Sequence, residues 1–194
     1  MMKLAVVGFG YWGPNLVRNF VNTPGCQVKY VVDQEVKQHR RINRLYPNVV
    51  TTTHYSDVLE DAEIDAVIIA TPVYTHYDLA KKALLNQKHV LLEKPMTSSV
   101  SEAEELIQLA ADKNLVLMVD HTYLYTAAVQ KIKSLVDSGV IGTIQYIDST
   151  RINLGLFQRD VNVLWDLAPH DISICDYLIG ESPLAVQAVG VSHT

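Results

Sequence analysis

The sequence predicts an α/β fold, a doubly wound parallel sheet followed by a smaller α+β unit, on three observations. Short apolar runs alternate with segments of helical spacing. The runs are hydrophobic nearly throughout, as strands buried on both faces require. A glycine-rich turn joins the first run to the first helical segment.

In chain order, strands are expected at residues 3–7, 27–32, 66–70, 89–92 and 115–119. Between them, Leu16, Val17, Phe20 and Val21, then Leu79, Ala80, Ala83 and Leu84, then Leu106, Ile107 and Ala110 recur with helical spacing. Ser99 followed by Glu102 forms a potential capping box, and Gly139 follows the Val129, Ile132, Leu135, Val136 stripe as a helix stop. The character changes near Asp120, which sets expected domains of 1–120 and 121–194. The second has a helix, a period-2 strand at 143–151, a polar loop, a helix at about 163–179 and a strand-like run from Leu184.

Composition narrows the function. Of the 194 residues, 48% are apolar and 19% charged, as in soluble globular proteins, and no stretch is long enough to span a bilayer. A net charge of −5 without any Lys/Arg run argues against nucleic acid or anionic membranes as partners. Cys26 and Cys175 lie far apart and suggest neither a disulfide framework nor a zinc site, and the histidines show no metal pattern. The amino terminus lacks a signal sequence, so the cytoplasm is the expected location.

The turn Gly8-Phe9-Gly10-Tyr11-Trp12-Gly13 follows a buried strand and opens an amphipathic helix, the context in which GxGxxG signals a dinucleotide-binding Rossmann domain. Gly8 permits the tight turn, Gly10 lets backbone approach a pyrophosphate, and Gly13 allows close helix-to-strand packing. Pro14 suits the first helical turn, where the amides face the phosphates. Asp33, 20 residues beyond Gly13 at the end of the second strand, is placed to accept the adenosine ribose hydroxyls. Arg40 and Arg41 are the alternative, a grip on a 2′-phosphate, but Asp33 repels that group, so NAD is favoured over NADP.

Two groups of residues carry possible chemistry. Thr71-Pro72 and Glu93-Lys94-Pro95 follow buried strands, at the carboxyl edge where open α/β sheets bind ligands. Lys94 there can stabilise an oxygen that gains charge as hydride moves, with Glu93 a candidate to hold it; the plain alternative is a surface lysine beside a turn. In Trp165-Asp166-Leu167-Ala168-Pro169-His170-Asp171, Asp166 and His170 are four apart and share a helix side. Asp166 can orient the imidazole, and His170 can exchange a proton near neutral pH; a surface ion pair is the alternative. Pro169 leaves open a helix start near His170, which would change that geometry. His121, Tyr123, Arg151, Asn153 and Arg159 are candidate substrate-binding residues.

Taken together, Gly8 to Gly13, Ala70-Thr71-Pro72, Thr75-His76, Glu93-Lys94-Pro95 and Asp166-x-x-x-His170 resemble the landmarks of the Gfo/Idh/MocA family, in the family's order and across nearly the whole chain. The resemblance implies cofactor contacts from Gly8, Phe9, Gly10, Tyr11, Trp12, Gly13, Asp33, Thr71, Pro72, His76, Glu93 and Lys94. It implies that Lys94 and His170 flank a sugar carbon, with Asp166 assisting, while hydride passes between that carbon and nicotinamide. The expected substrate is a small-molecule sugar, a nucleotide sugar or polyol of the kind used in surface-polysaccharide pathways. Most of the family's larger carboxyl-terminal sheet is expected to be missing, so the chain reads as shortened there. The second unit is accordingly expected to self-associate, first as a homodimer. The competing reading is a non-catalytic dinucleotide-binding or sensing module.

Overall fold

The computed structural model describes residues 1–152 and 161–191; Asn153 and Arg159, two of the candidate substrate residues, lie outside the described residues. The chain divides into two units, the first comprising 1–120 with 161–166 and the second comprising 121–152 with 167–191.

The first unit is a six-stranded parallel sheet: β1 (Met2–Val7), β2 (Cys26–Val32), β3 (Val50–Thr52), β4 (Ala66–Ile69), β5 (His89–Leu92) and β6 (Leu117–Val119). Its spatial order β3-β2-β1-β4-β5-β6 is that of the doubly wound dinucleotide fold, with the switch point between β1 and β4. Alternation along β1 shows why the apolar runs are continuous. Leu4 and Val6 enter one buried cluster with Leu16, Val17, Val31 and Ile42, while Ala5 and Val7 enter another with Ile69, Ala80, Leu84 and Leu106. Helices α1 (Gly13–Val21) and α2 (Val36–Leu45) supply the first cluster. Helices α3 (Ser56–Glu60), α4 (His76–Leu85) and α5 (Val100–Asp112) supply the second. The two edge strands have only three residues each, which limits their exposed pairing edges. The predicted capping box is present: Ser99 accepts the Glu102 amide while Glu102 accepts the Ser99 amide, and α5 starts there.

In the second unit α6 (Ala127–Asp137) starts at Thr126, whose hydroxyl caps the Val129 amide, and ends before Gly139 at φ +70°, as the sequence predicts. Helix α7 (Val163–Ile179) runs through Pro169, and Asn162 caps its first turn, its Oδ1 accepting the Trp165 amide at 2.9 Å. The helix therefore begins well before His170. The expected strands at 143–151 and from Leu184 do not form among the described residues. A period-2 pattern specifies a strand only when a partner supplies the ladder, and among the described residues no neighbouring strand does so there. Leu184, Val186, Val189 and Val191 are left exposed. Among the described residues no helix is long and apolar enough to cross a membrane.

Candidate functional site

The glycine turn lies at the carboxyl end of β1, and two of its glycines are irreplaceable on steric grounds. Gly8 has φ +94°, and a β-carbon there would lie 2.6 Å from the Ala70 carbonyl oxygen; at Gly13 it would lie 2.1 Å from the Gly8 oxygen. At Gly10 nothing lies within 4 Å, so that backbone is open to a ligand. Helix α1 has Pro14 in its first turn, where the Asn15 amide donates to the Trp12 carbonyl at 2.8 Å, and no side-chain cap or acidic residue competes there with an anion for the positive end of the helix. Phe9 is wholly buried, so only its backbone belongs to the turn, whereas Tyr11 and Trp12 are exposed beside it.

Asp33 is tied into this turn. Its Oδ2 accepts the Phe9 amide at 2.7 Å and its Oδ1 accepts the Glu35 amide at 2.8 Å. Each oxygen keeps a further lone pair for a ribose hydroxyl. The Arg41 guanidinium carbon lies 5.5 Å from the centre of the Phe9 ring.

The opposite wall is built by the turns after β4 and β5. The Thr71 and Thr75 hydroxyls are hydrogen-bonded at 2.6 Å, and Thr75 also donates to the Pro72 carbonyl. His76 is buried, with Nε2 2.8 Å from the Thr71 carbonyl oxygen and Nδ1 3.0 Å from that of Pro95. It links the two turns rather than presenting its ring to a ligand. The Lys94–Pro95 peptide is cis.

Lys94 follows β5, and its Nζ donates to Asp166 Oδ1 at 2.8 Å and to the Asp166 carbonyl at 3.0 Å. Both side chains are largely shielded, so the pair fixes the ammonium more firmly than a surface pair does. Trp165 Nε1 donates to the Thr97 carbonyl at 2.9 Å and anchors the segment that carries Asp166. This corrects one sequence expectation: Asp166, not Glu93, holds Lys94. Helical spacing could not reveal a partner 72 residues away.

Glu93 has a different role. Leu92 pairs with Val119 across β5 and β6, which makes Glu93 and Asp120 the next neighbours past both strand ends. Burial, and then the Asp120 carboxylate, push the Glu93 carboxyl up to about 8. The folded chain thus keeps a proton that the unfolded chain releases near 4.5. Folding stability is expected to fall as pH rises across that interval, because the native state binds more protons there. Urea denaturation at several pH values checks this, with Glu93→Gln expected to flatten the slope; an equal slope in both proteins would count against it.

In the second unit His121 and Tyr123 belong to a short 3-10 turn at Thr122–Tyr125, with His121 at its head. The Tyr123 and His170 rings meet edge to face, 4.7 Å between centres and 66° between planes. Arg151 Nε donates to Asp171 Oδ2 at 2.7 Å and Nη2 donates to Oδ1 at 3.1 Å, while the Ser149 hydroxyl donates to Oδ1 at 2.8 Å. Each partner reinforces the other's charge: Asp171 raises the Arg151 guanidinium further above its usual range, and Arg151 lowers the Asp171 carboxyl. Asp171, Ser149 and Asp120 were not singled out from sequence; adjacency to His170 was the only available signal for Asp171. Among the described residues no cluster of His, Cys, Asp or Glu could hold a metal ion.

A family model described as an oxidoreductase family with an NAD-binding Rossmann fold matches residues 2–121, and a GFO/IDH/MocA C-terminal domain model matches residues 129–194. The chain belongs to the Gfo/Idh/MocA oxidoreductase family. Its first unit is the family's NAD-binding domain. This Gfo/Idh/MocA chain is 31% identical over 199 residues to the UDP-N-acetylglucosamine 3-dehydrogenase of Acidithiobacillus ferrooxidans, covering 98% of this chain and 58% of that protein. It is 28% identical over 193 residues to the inositol 2-dehydrogenase of Mycolicibacterium gilvum, covering 97% and 55% respectively. Among solved structures, an NAD-binding protein from Listeria innocua superposes with a TM-score of 0.67 at 28% identity, over 73% of this chain and 42% of that one. GenD2 from gentamicin A biosynthesis, in complex with NAD, shares the fold with a TM-score of 0.80 at 22% identity, over 92% and 54%. The chain spans little more than half the length of the curated relatives it matches.

Proposed function

We propose that the chain carries the cofactor domain and the acid–base residues of an NAD-dependent dehydrogenase or ketoreductase. Its substrate class is a sugar bearing a secondary hydroxyl, either a nucleotide sugar or a polyol, and its setting is cytoplasmic. The observation that carries the proposal is the shielded Lys94–Asp166 pair at the carboxyl end of β5, on an NAD-binding sheet. An ammonium held there is suited to an oxygen that gains negative charge. Two relatives named as dehydrogenases of an N-acetylglucosamine nucleotide and of inositol support the sugar reading.

When bound, NAD would supply the acceptor for a hydride from the carbinol carbon in the oxidative direction. The protein's part is to manage the other product, the hydroxyl proton, which His170 accepts while Lys94 donates a hydrogen bond to the same oxygen. Asp166 keeps Lys94 oriented, and Asp33 with the glycine turn holds the adenosine half. In the reverse direction His170 returns the proton as hydride arrives.

The experiment is an anaerobic titration with NAD(H), followed by an absorbance screen at the reduced-nicotinamide band against nucleotide sugars and polyols. Binding with turnover of a sugar supports the proposal; binding without turnover of any of them favours a sensing module. In the same titration NADH is expected to bind more tightly than NADPH, since Asp33 accepts ribose hydroxyls and repels a 2′-phosphate. Asp33→Ala should narrow that preference. Equal or reversed affinities in the wild type would sink the assignment of Asp33.

A further inference from the structure

We propose that Asp171, Arg151 and Tyr123 act as one positioning unit for His170, with Asp171 clamping Arg151, Arg151 seating the Tyr123 ring and that ring setting the plane of the imidazole. The inference rests on the reading of His170 as the proton-exchanging group and reassigns Tyr123 and Arg151 from substrate contacts to supports of that group.

Each link is geometric. The fork between Arg151 and Asp171 uses two donors and both carboxylate oxygens, and the Ser149 hydroxyl fixes the carboxylate from another side, so the guanidinium plane has little freedom. That guanidinium carbon lies 5.0 Å from the centre of the Tyr123 ring, a cation–π distance, and Nη1 lies 3.5 Å from the Tyr123 hydroxyl. The tyrosine ring is thereby held where it meets His170 edge to face at 4.7 Å. Arg151 and Asp171 are 21% and 25% exposed, so water screens the arrangement only in part.

The unit also balances charge around the imidazole. Within the second unit, the charged or titratable groups that the geometry sets toward the imidazole are Asp171, adjoining it on α7, the Tyr123 ring, and Arg151 beyond that ring. Asp171 interacts electrostatically with His170, and its pairing with Arg151 offsets part of that charge. Removing the arginine leaves a carboxylate that favours imidazolium, and removing the carboxylate leaves a guanidinium that opposes it.

Imidazole NMR titration of the full chain tests this without requiring turnover, with His170 identified by its loss in His170→Gln. Arg151→Gln is expected to raise the His170 midpoint and Asp171→Asn to lower it, each by about 0.5 to 1 pH unit. Arg151→Lys, which keeps the charge but loses the fork, covers the case in which Arg151→Gln does not fold; it should give a smaller rise. Tyr123→Leu is expected to remove the ring-current displacement of the His170 signals, and Tyr123→Phe to retain it. Midpoints that move in the same direction, or stay within about 0.2 unit in both charge variants, overturn the proposal, as does an unchanged ring-current shift in Tyr123→Leu. A His170→Gln variant with wild-type turnover would instead sink the catalytic reading while leaving these shifts in place.

Discussion

Gly13→Ala is expected to lose NADH binding by at least about 100-fold and to unfold at a lower temperature than the wild type. A β-carbon 2.1 Å from the Gly8 oxygen cannot be accommodated by a side-chain adjustment, since the backbone fixes where a β-carbon sits and the oxygen it meets is itself backbone. Either α1 moves off β1 or the turn opens, and overpacking of this kind costs about 1–3 kcal/mol or more. Gly10→Ala is the informative contrast. Its added methyl meets nothing within 4 Å, so the protein should melt normally while the methyl occupies space a pyrophosphate needs. NADH fluorescence titration beside thermal unfolding separates the two outcomes. Wild-type melting in Gly13→Ala would show that the turn is looser than the structure has it.

The second large effect is on turnover. Lys94→Ala and His170→Ala are each expected to lower kcat by about 100-fold or more on an accepted sugar, the usual range for losing an acid–base group, with NADH affinity little changed. For His170→Ala the loss should be a direct one. Lys94→Ala has a second consequence, because it leaves Asp166, whose side chain is 16% exposed, without its cation. A shielded pair broken on one side costs about 3–5 kcal/mol. Replacing both partners, as in Lys94→Met with Asp166→Leu, should therefore recover stability without recovering turnover. Steady-state kinetics and urea denaturation on the single and double variants check both halves. Restored activity in the double variant would transfer the role of Lys94 to another residue.

The sheet was legible in the sequence because its central strands are buried on both faces and announce themselves as unbroken apolar runs. Leu4 to Val7 and Val67 to Ile69 read the same way by eye as they do by burial. The edge strand Val50–Thr52 carries only three residues, two of them threonine, and it lies between polar segments, so no periodicity marked it. The opposite failure occurred at 143–151, where alternation is clear but, among the described residues, no strand pairs with it. Site residues followed the same logic. Gly8, Gly13, Asp33 and Lys94 have positions set by strand ends, which sequence locates well. Their partners are set by tertiary approach: Lys94 finds Asp166, Glu93 meets Asp120 through strand register, and Arg151 finds Asp171 across 20 residues. Helix spacing suggested Asp166 for His170 because a four-residue interval is visible locally, whereas an ion pair between distant segments is not.

The bond from the Phe9 amide to Asp33 bears on any attempt to re-engineer cofactor choice. The usual route to a phosphorylated dinucleotide is to remove the acidic residue after the second strand and install a cation nearby. In this protein the same carboxylate is a structural member of the phosphate-binding turn, so its removal strips a buried amide of its acceptor before any new specificity is gained. Rational redesign has a better starting point in the exposed residues just beyond, Gln34 and Glu35, where a positive charge can be introduced while Asp33 remains in place. On the proposed assignment of Asp33, specificity and loop integrity would rest on one side chain, and a library that randomises position 33 is expected to be dominated by weakened binders rather than by altered ones.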